Sequence, residues 1–366
     1  MSDTIVFTRG VPADESFPSE RLAECAAAAL RGPDAVRVMQ YGKSWGYPPL
    51  REWLAARHGV RPEQVMLANG SLQFVEFVAW AYLQPGDTVF VEVPTYDRAI
   101  TLLRRHRANI VGIPLEADGP DMAALERALQ NATPRFFYII PDFQNPSGAT
   151  ASLEKRQRLV ELARAHGFFF VEDAPYRPLR YRGEPLPSLY DLGPDVTLQM
   201  SSFTKQISPG VRVGYLIGDE ARLTPIAKVA EDTYIMPNHL GAAAVNEFCR
   251  RGWLDEQLRF LHDLYRPRLE AVCDAIRTYL PDADWIEPDG GFFVSVTLPE
   301  GVTSEALRAA AREQGLILGD GRAFFVNPAD GERFLRLPFC ALTPDELREG
   351  VRRLAAAVQA LQQTSA

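Results

Sequence analysis

Residues 152–176 read SLEKRQRLVELARAHGFFFVEDAPY, and this stretch decides the fold class. Ser152–His166 is an amphipathic helical pattern, and Gly167 follows it as a C-cap. Phe168–Glu172 is then a short run of aromatic and β-branched residues, the signature of a strand buried on both faces. Turn residues close it. The same alternation recurs along the chain, with further runs at Val65–Ala68, Thr88–Val93, Ile110–Pro114, Arg135–Ile140, Val196–Met200 and Val213–Ile217. Alternating strand and helix signals predict an α/β domain with a mainly parallel, seven-stranded sheet flanked by helices.

After about residue 255 the texture changes. A helical stretch (Leu254–Leu280) leads to a strand at Gly290–Leu298, a helix at Ser304–Gln314 and a strand at Phe334–Pro338. Thr343-Pro344-Asp345-Glu346 opens the last helix as a capping box with proline at the first helical position. Leu347, Val351, Leu354, Val358 and Leu361 then form one apolar stripe. The expected organisation is a large domain over residues 35–254. Residues 1–34 and 255–366 form an N-terminal arm and a smaller α+β domain.

The 366 residues suffice for a large core without disulfides or metal. A net charge of −8 excludes the basic face that nucleic-acid binding requires. The N-terminus, MSDTIVFTRG, has neither the basic nor the apolar region of a signal peptide, and no apolar run approaches a membrane span. Cys25, Cys249, Cys273 and Cys340 form no CxxC pair and predict a reduced, cytoplasmic protein. The five histidines show no HxxxH pairing, which predicts no metal site. Of the 39 lysines and arginines only four are lysines, so chemistry that needs an amine has few candidates.

Ligands of open α/β sheets bind beyond the carboxyl ends of the strands. Asn69-Gly70-Ser71-Leu72 begins a helix and suits a phosphate, although an ordinary serine N-cap also explains it. Tyr96 can lie against a flat ligand or be a half-buried structural tyrosine. Pro141-Asp142-Phe143-Gln144-Asn145-Pro146-Ser147-Gly148 is a tightly specified turn, with Asn145–Pro146 a candidate cis bond. Glu172 and Asp173 end an apolar strand, where a carboxylate must face a cation or a protonated ring nitrogen, or cap a turn. Ser201-Ser202-Phe203-Thr204-Lys205, with Arg212 nearby, offers phosphate-binding hydroxyls and an imine-forming amine. Pyridoxal 5′-phosphate (PLP) requires such a set.

With these motifs the chain resembles the fold-type-I, aspartate-aminotransferase-like PLP enzymes of aminotransferase class I/II. It is most similar to the branch of 2-aminoadipate and kynurenine aminotransferases. Gln40-Tyr41-Gly42, Gly46-Tyr47-Pro48-Pro49-Leu50-Arg51, Pro141–Gly148, Glu172–Tyr176, Ser202–Arg212 and Leu335-Arg336-Leu337 carry the resemblance over nearly the whole chain. It implies that Lys205 holds PLP as a Schiff base. Asp173 would pair with the ring nitrogen, Tyr176 and Asn145 with the ring oxygen, and Tyr96 would stack on the ring. Ser71, Leu72, Ser202 and Arg212 would bind the phosphate. Tyr41 would reach the neighbouring subunit's phosphate, making the active unit a homodimer. Arg336 would grip the substrate α-carboxylate, with Asn145 and Gly10 beside it. The expected reaction transfers an amino group from an L-amino acid to a 2-oxo acid, with 2-oxoglutarate as acceptor.

The chain departs from that branch in three places. It begins almost directly at Val6–Pro12, where relatives carry a preceding substrate-contacting helix. Arg9 stands where Gly-Gly is usual, and Ala174-Pro175 replaces Asp-Ala. Arg9, and more weakly Arg322, are therefore candidates to contact an acidic side chain. Two alternatives remain: another PLP reaction (β-elimination, decarboxylation or oxidation), or a non-catalytic PLP-binding sensor domain, disfavoured by the acidic charge.

Overall fold

A computed structural model describes residues 4–365. The first strand, β1 (Ile5–Phe7), stands apart from the main sheet. That sheet is built from β2 (Val65–Ala68), β3 (Thr88–Val93), β4 (Asn109–Glu116), β5 (Gly119–Pro120), β6 (Phe136–Ile139), β7 (Phe169–Asp173), β8 (Thr197–Ser202) and β9 (Gly214–Ile217). Their order is β2-β9-β8-β7-β6-β3-β4-β5. Strands β8, β7, β6, β3 and β4 run parallel, and β9 runs antiparallel to both β8 and β2. Six strands therefore end on one edge. All seven expected strands are present. The eighth, the two-residue β5, arises because Gly119 (φ 113°) folds the chain back onto β4; it is too short for any periodicity to betray.

The reason the runs are continuous rather than alternating is visible in the packing. Phe136, Tyr138 and Val171 face helices Leu72–Tyr82 and Glu220–Tyr234 on one side. Phe137, Ile139 and Phe170 face helices Met122–Asn131 and Leu153–His166 on the other. Side chains alternate across a strand, so a sheet covered on both faces needs apolar residues at every position. The Ser152 hydroxyl caps Leu153–His166 by accepting from the Lys155 N–H, and Gly167 ends that helix at φ 76°.

A second core gathers around a three-stranded antiparallel sheet, β10 (Asp284–Trp285), β11 (Phe293–Thr297) and β13 (Phe334–Pro338). Helices Trp253–Tyr279 and Pro344–Ser365 pack on it. The capping box is formed: the Thr343 N–H donates to Glu346 at 2.8 Å. The remaining strand, β12 (Leu316–Leu318), pairs in parallel with β1 and draws the N-terminus into this core through Ile5 and Phe7. Helix Ser19–Arg31 instead packs on helix His239–Arg250 through Cys25 and Ala29.

Behind the strand ends, Arg156 is fully buried and donates twice to Asp142, at 2.8 and 3.2 Å. It also donates to the carbonyls of Pro141, Ala151 and Pro187. The Asn145–Pro146 bond of this turn is cis, as is Val93–Pro94. Removing one partner of such a buried pair leaves a charge without its counter-ion. Arg156→Met is expected to lower the unfolding free energy by about 3 kcal/mol in urea titration. A negligible loss would mean that Arg177, 3.1 Å from Asp142, suffices.

Candidate active site

The shared edge of the strands, the second core and the arm Thr8–Val11 enclose a cavity of about 600 Å³. Each wall comes from a different element. Strand β2 ends at Ala68, and Gly70, at φ 97°, turns the chain into helix Leu72–Tyr82. The Ser71 side chain makes no capping bond, so the helix N-terminus faces the cavity with its backbone amides. Arg212 donates to the Asn69 carbonyl at 2.7 Å and packs over Gly70, where a Cβ would lie 2.6 Å from its Nη2. A Cβ on Gly214 would sit 2.4 Å from the Ser71 nitrogen. The hydroxyls of Ser202, at the end of β8, and Thr204, just beyond it, are 2.5 Å apart. Amides, a guanidinium and hydroxyls converging beside a helix N-terminus make a cradle for a phosphate dianion.

Asp173, the last residue of β7, lies at the cavity floor. The Tyr138 hydroxyl donates to its Oδ2 at 2.7 Å, while Oδ1 is buried with no partner among the described residues. Burial pushes its pKa up to about 7, the Tyr138 hydrogen bond opposing the shift. A cationic N–H aimed at Oδ1 would both satisfy the orphan and restore the charge, so the residues fit the pyridinium nitrogen of PLP. Glu172 points to the other face of the sheet and accepts from the Leu189 and Tyr190 N–H groups and from Gln199. Of the two adjacent carboxylates, Asp173 alone reaches the cavity.

Lys205 follows β8. Its Nζ donates to the Gly10 carbonyl at 3.0 Å and lies 5.5 Å from the Phe292 ring centroid. Burial holds its pKa below the ordinary lysine value, and the nearby Arg336 adds to this. A buried amine with a lowered pKa is the kind that attacks carbonyls. Tyr96 lines the cavity at the start of helix Asp97–Arg105, and Tyr176 is buried against Phe292 and Phe293.

Arg336, on β13, is clamped between the rings of Phe293 and Phe324, 4.5 Å from each centroid. Its Nη1 donates to the Asn145 Oδ1 at 2.8 Å and its Nη2 to the Thr8 carbonyl at 2.9 Å. Flat, stacked and oriented, the guanidinium suits a carboxylate. The arm is tied further by the Cys340 thiol, which donates to the Val11 carbonyl at 3.0 Å. Gly10 must be glycine, since a Cβ there would strike the Phe293 ring at 2.3 Å.

Twelve of the residues named from the sequence line this one cavity: Arg9, Gly10, Ser71, Leu72, Tyr96, Asn145, Asp173, Tyr176, Ser202, Lys205, Arg212 and Arg336. Tyr41 does not; it is 76% exposed on the outer surface. Arg322 does not line it either, because its guanidinium is held by Asp320 at 2.8 Å and faces Glu305 and Glu332. Thr204, Asp97, Arg98 and Asp320 line the cavity without having been singled out as site residues. Thr204 beside Lys205, and Asp97 and Arg98 beside Tyr96, were legible from their neighbours, whereas Asp320 reaches the cavity from the second core, just after β12. Among the described residues no group of three or more His, Cys, Asp or Glu side chains could hold a metal. Among the same residues no helix is long and apolar enough to cross a membrane.

The folded protein keeps a proton on Asp173 up to about pH 7, while the unfolded chain releases it near the ordinary 3.8. Stability should therefore fall as pH rises between these values. Ligand-free wild type is expected to lose urea resistance across this window relative to Asp173→Asn. Parallel curves would place the proton on another acid.

The family model for aminotransferase class I and II matches residues 2–354. A 2-aminoadipate transaminase of Thermus thermophilus is 35% identical over 97% of this chain and 90% of its own. An aromatic-amino-acid aminotransferase of Thermococcus litoralis is 32% identical over 98% of this chain and 88% of its own. The crystal structure of the α-aminoadipate aminotransferase LysN from Thermus thermophilus, complexed with N-(5′-phosphopyridoxyl)-L-leucine, superposes with a TM-score of 0.93. It is 34% identical and covers 99% of this chain and 94% of that one. Fold, cavity and relatives agree that the chain belongs to the aminotransferase class I and II family and is a PLP-dependent enzyme of amino-group transfer.

Proposed function

We propose that Lys205 is the residue through which this aminotransferase moves an amino group from an L-amino acid to a 2-oxo acid, with 2-oxoglutarate as the acceptor. One observation carries the reading. A single buried amine faces a cavity that has an unsatisfied carboxylate at its floor and a ring-clamped arginine across from it. PLP bound there supplies an aldehyde for amine exchange and a protonated ring that draws electrons from the substrate Cα. Asp173 holds the proton on the ring nitrogen. Tyr96 covers the ring, and Asn145 and Tyr176 serve the ring oxygen. The Ser71 and Leu72 amides, Ser202 and Arg212 bind the phosphate. Arg336, with Asn145 and the Gly10 backbone, fixes the α-carboxylate so that the Cα proton meets the Lys205 amine. That amine takes the proton and returns it to the cofactor side as general base and then acid.

The active unit is a homodimer in which Tyr41 of each subunit reaches the phosphate of the other. Val36, Met39, Tyr41, Ile235 and Leu240 support this, being large apolar side chains left exposed. Gly42, whose N–H lies 2.8 Å from the Met236 sulfur, joins their two segments. Residues 35–254 form the cofactor domain and 255–366 the smaller one. Residues 1–34 are an arm that serves both. Four free, buried cysteines support a cytoplasmic setting.

Arg9 stands at the mouth of the cavity, exposed and without an ion pair among the described residues. We assign it the distal carboxylate of an acidic donor, in keeping with the relative named for 2-aminoadipate.

Mixing the PLP-loaded enzyme with single amino acids should bleach its visible absorbance, and 2-oxoglutarate should then yield glutamate. Release of ammonia or CO₂ without a new amino acid would overturn the reaction. Lys205→Ala should cost on the order of a thousandfold in kcat. Arg9→Ala should raise KM for dicarboxylic donors about tenfold while sparing apolar ones. An equal effect on both would place Arg9 in solvent.

A further inference from the structure

Glu92 is a carboxyl side chain buried in the main sheet near the end of β3, and it takes no part in the chemistry described so far. Its Oε2 accepts from the Ile140 N–H at 2.9 Å and from the Gln144 side-chain amide at 3.2 Å. The same amide nitrogen donates to the Pro94 carbonyl at 2.7 Å. The Gln144 oxygen accepts from both the N–H and the hydroxyl of Ser147, at 2.9 and 2.8 Å. From Ser147 the network crosses to the second core: the Ser295 hydroxyl donates to the Ser147 carbonyl at 3.0 Å. Ser295 is the cross-strand partner of Arg336. Asn145, between Gln144 and Ser147, accepts from the Arg336 guanidinium. The hydrogen-bond network that starts at Glu92 therefore meets Arg336 twice, once at its side chain through Asn145 and once at its strand through Ser147 and Ser295.

Among the described residues no cation contacts Glu92. An acid in that position is costly unless its oxygens are used, and an apolar residue would fill the space at less cost. We infer that Glu92 is a positioning residue that sets, through Gln144, the grip of Asn145 and Arg336 on the substrate carboxylate. The inference rests on the assignment of Arg336 to that carboxylate. Burial pushes the Glu92 pKa up to about 8, so the group is neutral at neutral pH and glutamine is its close mimic.

The test uses the PLP-loaded enzyme and glutarate, a dicarboxylate with no amine to transfer. Arg336→Ala serves as the reference variant and should weaken glutarate binding. Glu92→Met and Gln144→Met, which cannot accept or relay these bonds, should raise both the glutarate Kd and the amino-acid KM about tenfold. Their kcat should change less than about threefold, and Glu92→Gln should stay within about twofold of wild type. If Arg336→Ala weakens glutarate while both methionine variants bind it normally, or lose kcat alone, the inference is wrong. Failure of both methionine variants to fold or to hold PLP would reduce Glu92 to a structural residue and overturn it too. If Arg336→Ala itself binds glutarate normally, the assignment of Arg336 fails first.

Discussion

The buried Asp173 carboxylate has one oxygen bound to Tyr138 and the other bound to nothing among the described residues, and the rest of the site is arranged around that deficit. A protein folding for stability alone would not leave such an acceptor at the end of an apolar strand. Without a ligand a proton relieves the charge, whereas a ligand that brings its own N–H and positive charge lets the carboxylate stay ionised. The sheet makes the position possible. Helices cover both faces of β7, so its carboxyl end opens only into the cavity, where a cationic ring that displaces solvent gains most.

The cations of the cavity divide the labour by how they are held. Arg212 is tied to a backbone carbonyl beside a helix N-terminus, where an anion finds several donors at once. Arg336 keeps its charge because guanidinium deprotonates only at very high pH, and the two rings fix its plane. Burial lowers the proton affinity of both side chains, but the Lys205 amine starts from a much lower pKa than a guanidinium and comes within reach of deprotonation. The same desolvation that leaves an arginine as a binding group thus turns a lysine into a reactive one.

Much of this was legible in the sequence, for a topological reason. The cofactor-side residues follow the ends of strands that announce themselves as apolar runs, so Ser71, Tyr96, Asn145, Asp173 and Lys205 could be placed on one edge from the pattern alone. Strand alternation further separates Asp173 from Glu172. The substrate side was less legible. Phe293 and Phe324 clamp Arg336, and Thr8 anchors it, only because the end of β1, β11, the turn at Gly321–Phe324 and β13 come together at the small core. Arg98 reaches the cavity from the first turn of helix Asp97–Arg105, beside Tyr96. Arg322, the weaker candidate for an acidic side chain, has a local partner two residues before it, Asp320, that captures its guanidinium. β5 was invisible because a glycine turn rather than a hydrophobic pattern creates it.

The arm that closes the cavity is held entirely by its main chain: Arg336 takes the carbonyl of Thr8, Lys205 that of Gly10, and Cys340 that of Val11. None of these bonds reads a side chain. Position 9 therefore sits between two anchored peptide groups with its own side chain free to vary. A lineage could exchange the residue there, and with it the preferred donor, without disturbing closure. An insertion or deletion of one residue would slip every anchor at once. The arm thus fixes spacing throughout and the residue at Gly10, and leaves identity open at position 9, where a change of specificity costs the fold least.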